Sequence, residues 1–309
     1  MVIRRLSRAI KRFSALPARI ARIQESLGRI EQRQISHLGV GIESSEFRVF
    51  SQWGEDGIIQ YLVRSVPIER PIFVEFGVEN YLESNTRFLL TNNQWSGLIM
   101  DGSAQNIADI KRDAIYWASN LKAEHAFITA ENIDGLLRSN GIEGDIGLLS
   151  VDIDGNDYWV WRDIRSIAPR IVVCEYNSHF GPTARVTTPY DPGFVRDRSH
   201  YSKIYYGASI GALVQLAGQK GYTLVAGNSA GNNVFFVRND VLGALQPRRQ
   251  EDVYRRSTFR ECHDRDGALT FEDFESRLRR IADLPVHDID SNSNRRIADV
   301  PGIGAGVAR

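Results

Sequence analysis

The hydrophobic pattern of residues 58–176 alternates between short, continuous apolar runs and stretches with helical spacing. Apolar runs of this length are typical of strands that are buried on both faces of a parallel sheet. The pattern predicts strands at residues 71–77, 97–100, 124–128, 146–152 and 170–175. It predicts helices at residues 58–63, 104–119, 133–139 and 157–168. This alternation indicates a parallel sheet with helices on both faces.

The pattern changes after residue 176. A helix over 209–220 is followed by two strands, 222–226 and 233–238, on either side of the turn-rich segment 227–232. Two strands joined by so short a loop indicate an antiparallel hairpin at one edge of the sheet. The predicted fold class is therefore α/β and Rossmann-like, with a mostly parallel seven-stranded sheet and a C-terminal antiparallel hairpin. This layout is the one found in class I methyltransferases that use S-adenosylmethionine (SAM).

The N-terminal residues 1–35 carry a different pattern. Apolar side chains follow three-four spacing, first at Ile3, Leu6, Ile10, Phe13 and Leu16, and then at Ile20, Ile23, Leu27 and Ile30. Residues 1–24 contain basic side chains and no acidic ones. Three interpretations of this amphipathic helix stay open: a coiled-coil seam that forms a homo-oligomer, a peripheral contact with an anionic membrane, and packing on its own domain.

Composition narrows the function classes. The chain has 309 residues, with 38 Lys+Arg and 38 Asp+Glu, so the balance of charge gives no indication of a nucleic-acid partner. Its two cysteines form no CxxC motif, and no apolar run reaches the ~18 residues of a membrane span. These features favour a cytoplasmic location, with peripheral contact at the inner face of the membrane as the alternative.

The acidic residues at the predicted strand ends suggest a cofactor. Glu75 and Gly77 lie at the end of the first predicted strand, and Asp101 lies at the end of the second. The separation of Glu75 and Asp101 along the chain is close to the ~20 residues between a nucleotide-binding turn and its ribose carboxylate. A turn with one glycine cannot cradle a pyrophosphate, so an adenosine without phosphates fits, as in SAM. The residues that we expect to contact this cofactor are Glu75, Gly77, Asn80, Asp101, Ser103, Glu131 and Asp152.

A second group of polar residues follows the fourth and fifth strands. Asp152 and Asp154 lie on one face of an extended segment and would repel each other unless a cation lay between them, and Glu175 ends the next strand. Mg²⁺ held by these three acids is one hypothesis. His179 acting as general base, with Asp154 as a second catalytic residue, is another. The aromatic and basic insertion 180–205 suits a sugar or a phosphorylated sugar, and equally a packed loop without a ligand. The predicted substrate contacts are Tyr158, Asn177, Tyr190 and Tyr206.

The segments 73–78, 149–157 and 232–237 resemble the FkbM-like methyltransferases, and the resemblance covers about residues 50–240. It implies a SAM-dependent O-methyltransferase that acts on sugars. Glu75 and Gly77 match the first SAM motif, Asp101 matches the ribose-binding acid, and Asp152 and Asp154 match the fourth-strand motif. The chain departs from the usual pattern at residues 78–81, where small residues and glycine are expected. The Asp-x-Asp pair also looks like the metal-dependent sugar O-methyltransferases of the macrocin type.

These observations divide the chain into an amphipathic or coiled-coil helix (1–35), a linker (36–50), a methyltransferase-like domain (51–240), a helical extension (241–284) and a disordered tail (285–309). The leading hypothesis is an O-methyltransferase that acts on a sugar hydroxyl of a glycan, a polysaccharide or a nucleotide-linked sugar. The alternative is an inactive, methyltransferase-like binding or scaffold protein that is assembled through its N-terminal helix.

Overall fold

The computed structural model of the protein describes residues 16–303. Its main feature is a seven-stranded sheet. The strands of this sheet are β1 (Ile72–Phe76), β2 (Ser96–Asp101), β3 (Leu121–His125), β4 (Gly144–Val151), β5 (Ile167–Glu175), β7 (Tyr222–Gly227) and β8 (Asn233–Arg238). Their order in the sheet is β3-β2-β1-β4-β5-β8-β7. The strands β1 to β5 are parallel, and β8 is antiparallel to both β5 and β7. The predicted fold class is confirmed.

Helices cover the sheet on both faces. They are α1 (Leu16–Leu38), α2 (Glu55–Ser65), α3 (Arg87–Asn92), α4 (Ala104–Arg112), α5 (Ala114–Ala118), α6 (Ile133–Ser139), α7 (Asp157–Asp163), α8 (Arg196–Ser199) and α9 (Ile210–Gln219). Alternate strand residues enter two separate cores: Val74 and Phe76 pack on one face, and Phe73 packs on the other. Burial on both faces explains why these strands are apolar throughout.

Two elements differ from the sequence prediction. Strand β3 begins and ends three residues before the predicted 124–128, because the apolar residues Ala126, Phe127 and Ile128 line a cleft rather than extending the strand. The predicted helix 104–119 is interrupted at Asp113, whose carboxylate accepts a hydrogen bond from the amide of Ile115 and caps a new helix.

The C-terminal part of the chain forms a small antiparallel sheet. It consists of β6 (Val186–Thr187), β9 (Pro285–Asp288) and β10 (Ser293–Arg296). Val286, Ile297 and Ile303 are buried in a third core together with Phe180. The prediction of disorder is therefore wrong for residues 285–303, since these side chains find apolar partners in the insertion 180–205; residues 304–309 lie outside the described range.

The predicted helical extension 241–284 is helical only in part. It contains the short helices α10 (Gln250–Val253) and α11 (Phe274–Ile281), separated by irregular backbone. The predicted linker 36–50 likewise packs on the domain, because Phe47, Val49 and Phe50 are buried against Phe88.

Helix α1 has two different faces. Gly28 contacts the domain so closely that a Cβ atom there would lie 2.4 Å from Val49. On the same face, Gln32 Nε2 donates a hydrogen bond of 2.6 Å to Gln60 Oε1. The apolar stripe of the helix is exposed instead, and its side chains are 48–60% accessible at Ile20, Ile23, Leu27 and Ile30. The helix therefore packs on its own domain through one face and leaves the predicted seam open.

The first half of the predicted amphipathic pattern, from Ile3 to Phe13 with its arginines, lies outside the described residues. Among residues 16–303, no helix combines the length and the apolar character needed to span a lipid bilayer.

Candidate active site

The carboxyl ends of β1, β2, β4 and β5 meet at one edge of the sheet and form a cleft, as expected for parallel strands. One part of the cleft, here called the Asp101 pocket, has a volume of about 190 Å³ and is lined among others by Gly77, Glu79, Asp101, Phe127, Ile128 and Phe194. The adjoining part, here called the acidic chamber, has a volume of about 270 Å³. Its lining includes seven carboxylates, namely Glu75, Glu79, Glu83, Asp152, Asp154, Glu175 and Glu261.

Gly77 lies where the two parts of the cleft meet. It has a φ of 69°, and an added Cβ atom would lie 1.8 Å from the carbonyl oxygen of Asp152. Only glycine permits both this backbone conformation and so close an approach of the β1 turn to the end of β4. The close approach of the two turns therefore explains why residue 77 is a glycine.

Glu75 has a structural role that the sequence did not indicate. Its carboxylate accepts hydrogen bonds from Ser84 Oγ at 2.6 Å, from Thr86 Oγ1 at 2.5 Å and from the amide of Asn85 at 2.9 Å. Burial raises the pKa of this carboxyl, and these hydrogen bonds oppose that rise. These hydrogen bonds hold the turn 84–86 against β1, and because Glu75 also lines the acidic chamber, its direct contact with a cofactor stays a prediction.

Asp101 lines its pocket and is held firmly. Its Oδ2 accepts a hydrogen bond of 2.8 Å from the amide of Glu79, and its Oδ1 accepts one of 2.7 Å from the amide of Ser103. Asn106 Nδ2 also donates a hydrogen bond of 3.1 Å to Oδ1. A carboxylate has about four lone-pair positions, so Oδ2 can still accept a hydroxyl donor from a ligand. Ser103 itself caps α4 through its side chain, and Asn80 accepts a hydrogen bond from the amide of Leu82. Neither Asn80 nor Ser103 lines the cleft.

Two residues that line the cleft have backbone conformations that favour glycine, Glu79 with a φ of 46° and Asp154 with 55°. Such strain is found mostly at functional sites, where the surrounding structure maintains it. Glu79 lines both parts of the cleft and was not among the predicted contacts. The sequence did indicate that this loop is unusual, because residues 78–81 lack the small residues of the usual methyltransferase motif.

Apolar side chains form the far wall of the Asp101 pocket. Phe127 is 48% exposed and lies there with Ile128. Neither residue was predicted to line the site, because the apolar run 124–128 indicated a strand. Near this wall, Tyr190 Oη donates a hydrogen bond of 2.5 Å to Glu131, which lowers the pKa of the Glu131 carboxyl. Tyr190 and Glu131 line neither part of the cleft.

The three acids predicted to hold a metal come together. Asp152, Asp154 and Glu175 each place a carboxylate oxygen within 4.8 Å of the other two. Burial, and then the charge of nearby Asp154, raises the pKa of Asp152 well above its ordinary value. Burial, and then the charges of Asp152 and Asp154, does the same for the pKa of Glu175. These groups hold a proton far more readily than ordinary carboxyls do.

Arg196 supplies positive charge to this cluster. Its Nη1 donates a hydrogen bond of 2.5 Å to Asp154 Oδ1, and its Nη2 donates one of 3.0 Å to Glu261 Oε2. The guanidinium carbon lies 4.0 Å from the ring centroid of Tyr206. Tyr206 is buried beneath the arginine and outside the cleft lining, so it positions Arg196 rather than contacting a substrate as predicted.

The loop after β4 is shaped by Asp157. Its carboxylate accepts hydrogen bonds from the amides of Ile153 at 2.8 Å and Gly155 at 2.9 Å, while burial raises its pKa to about 6. The neighbouring Tyr158 points the other way and packs in the hydrophobic core, with 5% of its surface exposed. The prediction of Tyr158 as a substrate contact is contradicted by this burial.

His179 cannot act as the predicted general base in this structure. Its ring is buried and stacks on Phe274 at a centroid distance of 4.7 Å. The distance from His179 Nδ1 to Asn177 Oδ1 is 2.9 Å. Burial, together with the charges of Arg277 and Arg196, lowers its pKa to about 3. A base needs a pKa near the working pH and access to the proton, and His179 has neither. The sequence could not show this, because Phe274 comes from the distant C-terminal extension.

Asn177 is also structural. Its Nδ2 donates hydrogen bonds to the carbonyls of Ile204 and Tyr206, and its Oδ1 accepts from His179. It is 1% exposed and lies outside the cleft lining, so the prediction of a substrate contact is contradicted.

Asn233 is a chamber residue that sequence reasoning missed. It lies directly opposite Glu175 on the antiparallel neighbour β8. Its Nδ2 donates a hydrogen bond of 3.0 Å to Glu55 Oε1, the first residue of α2. Its Oδ1 is buried and has no donor within residues 16–303, and the same is true of Glu175 Oε2. Two buried acceptors therefore lie side by side without partners.

No protein-family model and no curated protein matches this chain. Among solved structures, the N-terminal domain of EvdMO1 with SAH bound is 12% identical, with a TM-score of 0.40 over 68% of this chain and 95% of that domain. The CurJ carbon methyltransferase is 12% identical, with a TM-score of 0.40 over 60% of this chain and 52% of that one. An O-methyltransferase family protein from Burkholderia thailandensis is 10% identical, with a TM-score of 0.35 over 73% of this chain and 59% of that one. Likenesses at this level say nothing about which residues of this chain bind or react.

Proposed function

We propose that this protein is a SAM-dependent O-methyltransferase that acts on a sugar hydroxyl of a glycan, a polysaccharide or a nucleotide-linked sugar. The observation that carries the proposal is the continuity of the cleft. The Asp101 pocket and the acidic chamber share Gly77, Glu79, Asp152 and Asp154. A site for a methyl donor thus opens directly onto a chamber of proton-accepting groups, which is the arrangement that methyl transfer to a hydroxyl requires.

The Asp101 pocket suits the adenosine part of SAM. Asp101 is placed to accept a ribose hydroxyl through Oδ2, and Phe127 and Ile128 offer apolar surface to the adenine. The two parts of the cleft together exceed the ~300 Å³ at the lower end of small-molecule sites. When bound, SAM would supply an electrophilic methyl group on a positively charged sulfur.

The acidic chamber supplies the base. A neutral hydroxyl is a poor nucleophile, so a group in the chamber must take its proton as the new bond forms. Asp152 and Glu175 are suited to this because burial and mutual repulsion raise the pKa of both carboxyls. The charge of Asp154 is already paired with Arg196. The base assigned to His179 from the sequence is therefore replaced by the Asp152–Glu175 pair.

Mg²⁺ is a second candidate for this cluster. Asp152, Asp154 and Glu175 offer hard oxygen ligands close together, and Glu175 Oε2 has no donor among the described residues. These residues would hold the ion, which would lower the pKa of an acceptor hydroxyl.

Binding of the cofactor is the direct test. The full chain should bind SAM and its demethylated product in titration calorimetry, and Asp101→Asn should weaken that binding by ~1–3 kcal/mol because a charged acceptor is lost. The matched control is Asp109→Asn on exposed helix α4, which should bind as the wild type does. No binding to the wild type would contradict the proposal, provided that thermal unfolding shows it folded.

The exposed stripe of α1 supports a contact with a second copy of the chain. Ile20, Ile23, Leu27 and Ile30 repeat at intervals of three and four residues, as coiled-coil seams require, and the opposite face already contacts the domain. In an antiparallel pair Arg19 would face Arg33, so a parallel pair is favoured. The same stripe would also assemble an inactive binding or scaffold protein, which is the alternative function. Assembly of the chain without binding of SAM would indicate that alternative.

A double variant tests this contact. Ile23→Glu with Leu27→Glu should lower the mass in light scattering to that of a monomer, because buried carboxylates would face each other across the seam. The domain should stay folded in circular dichroism, since both side chains are more than half exposed in the single chain. A wild-type chain that is already monomeric would contradict the proposed pair, and loss of vesicle binding would indicate a membrane contact instead.

A further inference from the structure

We propose that the acceptor carries an ammonium group, as an amino sugar does, and that the acidic chamber binds this group between Asp152, Glu175 and Asn233. The inference rests on the proposed function and narrows its acceptor to a cationic one. It goes against acceptors that carry phosphate, including nucleotide-linked sugars.

The balance of charge in the chamber is the first argument. Seven carboxylates and one guanidinium line it. Arg196 is bonded to Asp154 and Glu261, and Glu83 is paired with Arg48 at 3.1 Å. Within residues 16–303 no cationic side chain lies within salt-bridge distance of the remaining acids of the lining, Glu75, Glu79, Asp152 and Glu175. A phosphate or a carboxylate brought into this chamber would meet repulsion, whereas an ammonium would meet attraction.

Glu75 differs from the other three because its hydrogen bonds to residues 84–86 already disperse its charge. The acids of the lining that neither a cationic side chain nor the turn 84–86 satisfies are therefore Asp152 and Glu175, next to the cofactor side of the cleft, with Glu79 at the more exposed mouth.

The two acceptors without donors are the second, independent argument. Glu175 is 7% exposed and Asn233 is 3% exposed, and both line the chamber. Since they are paired across β5 and β8, their side chains lie on the same face of the sheet. Glu175 Oε2 and Asn233 Oδ1 each lack a donor. Buried acceptors without partners are rare in folded proteins, so a ligand with donors is expected here.

The number of donors distinguishes the candidate ligands. An ammonium group has three N–H donors and no acceptor, and it can satisfy Asp152, Glu175 and Asn233 together. A single hydroxyl has one donor and would satisfy only one of the two acceptors without donors, Glu175 Oε2 and Asn233 Oδ1. A divalent ion would have to lie beside the Arg196 guanidinium, which is bonded to one of its own three ligands. A divalent ion held by all three acids would have to share Asp154 with Arg196, whereas an ammonium needs only Asp152, Glu175 and Asn233.

The test uses the full chain and matched sugars. Titration calorimetry at neutral pH would compare glucosamine with glucose and with N-acetylglucosamine, which keep the ring but lack the charge. Glucosamine should bind at least ~10-fold more tightly than either, as expected for one charge-assisted hydrogen bond. Glucosamine 6-phosphate should bind more weakly than glucosamine. Equal binding of all sugars, or no binding of glucosamine, would overturn the inference.

Variants and metal ions separate the remaining possibilities. Glu175→Gln and Asn233→Leu should each remove the preference for glucosamine, while Asp109→Asn on α4 should keep it. Tight binding of Mg²⁺ by the wild type, lost in Glu175→Gln, would overturn the ammonium assignment in favour of a metal. SAM titration is measured separately: if SAM binds but the preference for an amine is absent, this inference fails and the proposed function stands. Absence of SAM binding would instead remove the proposed function.

Discussion

Glu75 and Glu175 occupy equivalent places in the sheet, yet the protein surrounds them differently. Each lies at the end of a parallel strand, and burial raises the pKa of each carboxyl. Glu75 accepts hydrogen bonds from the side chains and amides of residues 84–86. Glu175 is surrounded by other carboxylates, and its Oε2 has no donor in the described part of the chain. Hydrogen-bond partners, rather than burial or position, therefore separate a structural acid from a functional one.

The largest expected effect comes from neutralising the functional acid. Glu175→Gln should lower the rate of methyl transfer by at least ~10²-fold, because the Asp152–Glu175 pair that acts as general base is lost. Its thermal stability should stay the same or rise, since a buried charge without a partner is removed. The measurement is transfer of labelled methyl from SAM to an accepted sugar, with thermal unfolding of the same samples.

His179→Phe is the comparison variant for that experiment. It keeps the stacking on Phe274 and should reduce the rate by less than ~10-fold, below the usual contribution of a general base. A severe loss of rate in His179→Phe, together with a normal rate in Glu175→Gln, would reverse the assignment of the two residues.

The structural acid should show the opposite behaviour. Glu75→Gln should lower the free energy of unfolding by about 2–3 kcal/mol, because hydrogen bonds from Ser84 and Thr86 to a charged group are lost. Urea denaturation measures this change. An unfolding free energy equal to that of the wild type would show that the hydrogen bonds around Glu75 do not distinguish it from Glu175.

The smallest expected effect is the dependence of stability on pH. Asp152 and Glu175 have folded pKa values above their ordinary ones, so in the window upward from about pH 4 the folded chain binds more protons than the unfolded chain. Stability should therefore fall as the pH rises through this window. The double variant Asp152→Asn with Glu175→Gln should show a smaller fall in urea denaturation across the same range. Parallel pH curves for the two proteins would contradict the raised pKa values.

The sequence predicted the sheet because its signal is local. Strands 222–226 and 233–238 were found within one residue, since turn residues separate two apolar runs. Asp152, Asp154 and Glu175 were expected to converge because neighbouring parallel strands end at the same edge. The burial of His179 depends on its stacking on Phe274. The ordered structure of residues 285–303 depends on the pairing of β9 with β6, about 100 residues away in the chain. Contacts between such distant segments leave no pattern in the sequence.

The hydrogen bond from Asn233 to Glu55 decides what the chamber can recognise. A side-chain amide presents a donor on one side and an acceptor on the other, and it could turn either way. Glu55 accepts from Asn233 Nδ2 and also from Asn228 Nδ2, so the amide oxygen is the atom left without a partner. The wall formed by Glu175 and Asn233 therefore presents hydrogen-bond acceptors to the chamber. Glu55, which lies outside the chamber lining, thus determines that a molecule entering the chamber must bring hydrogen-bond donors.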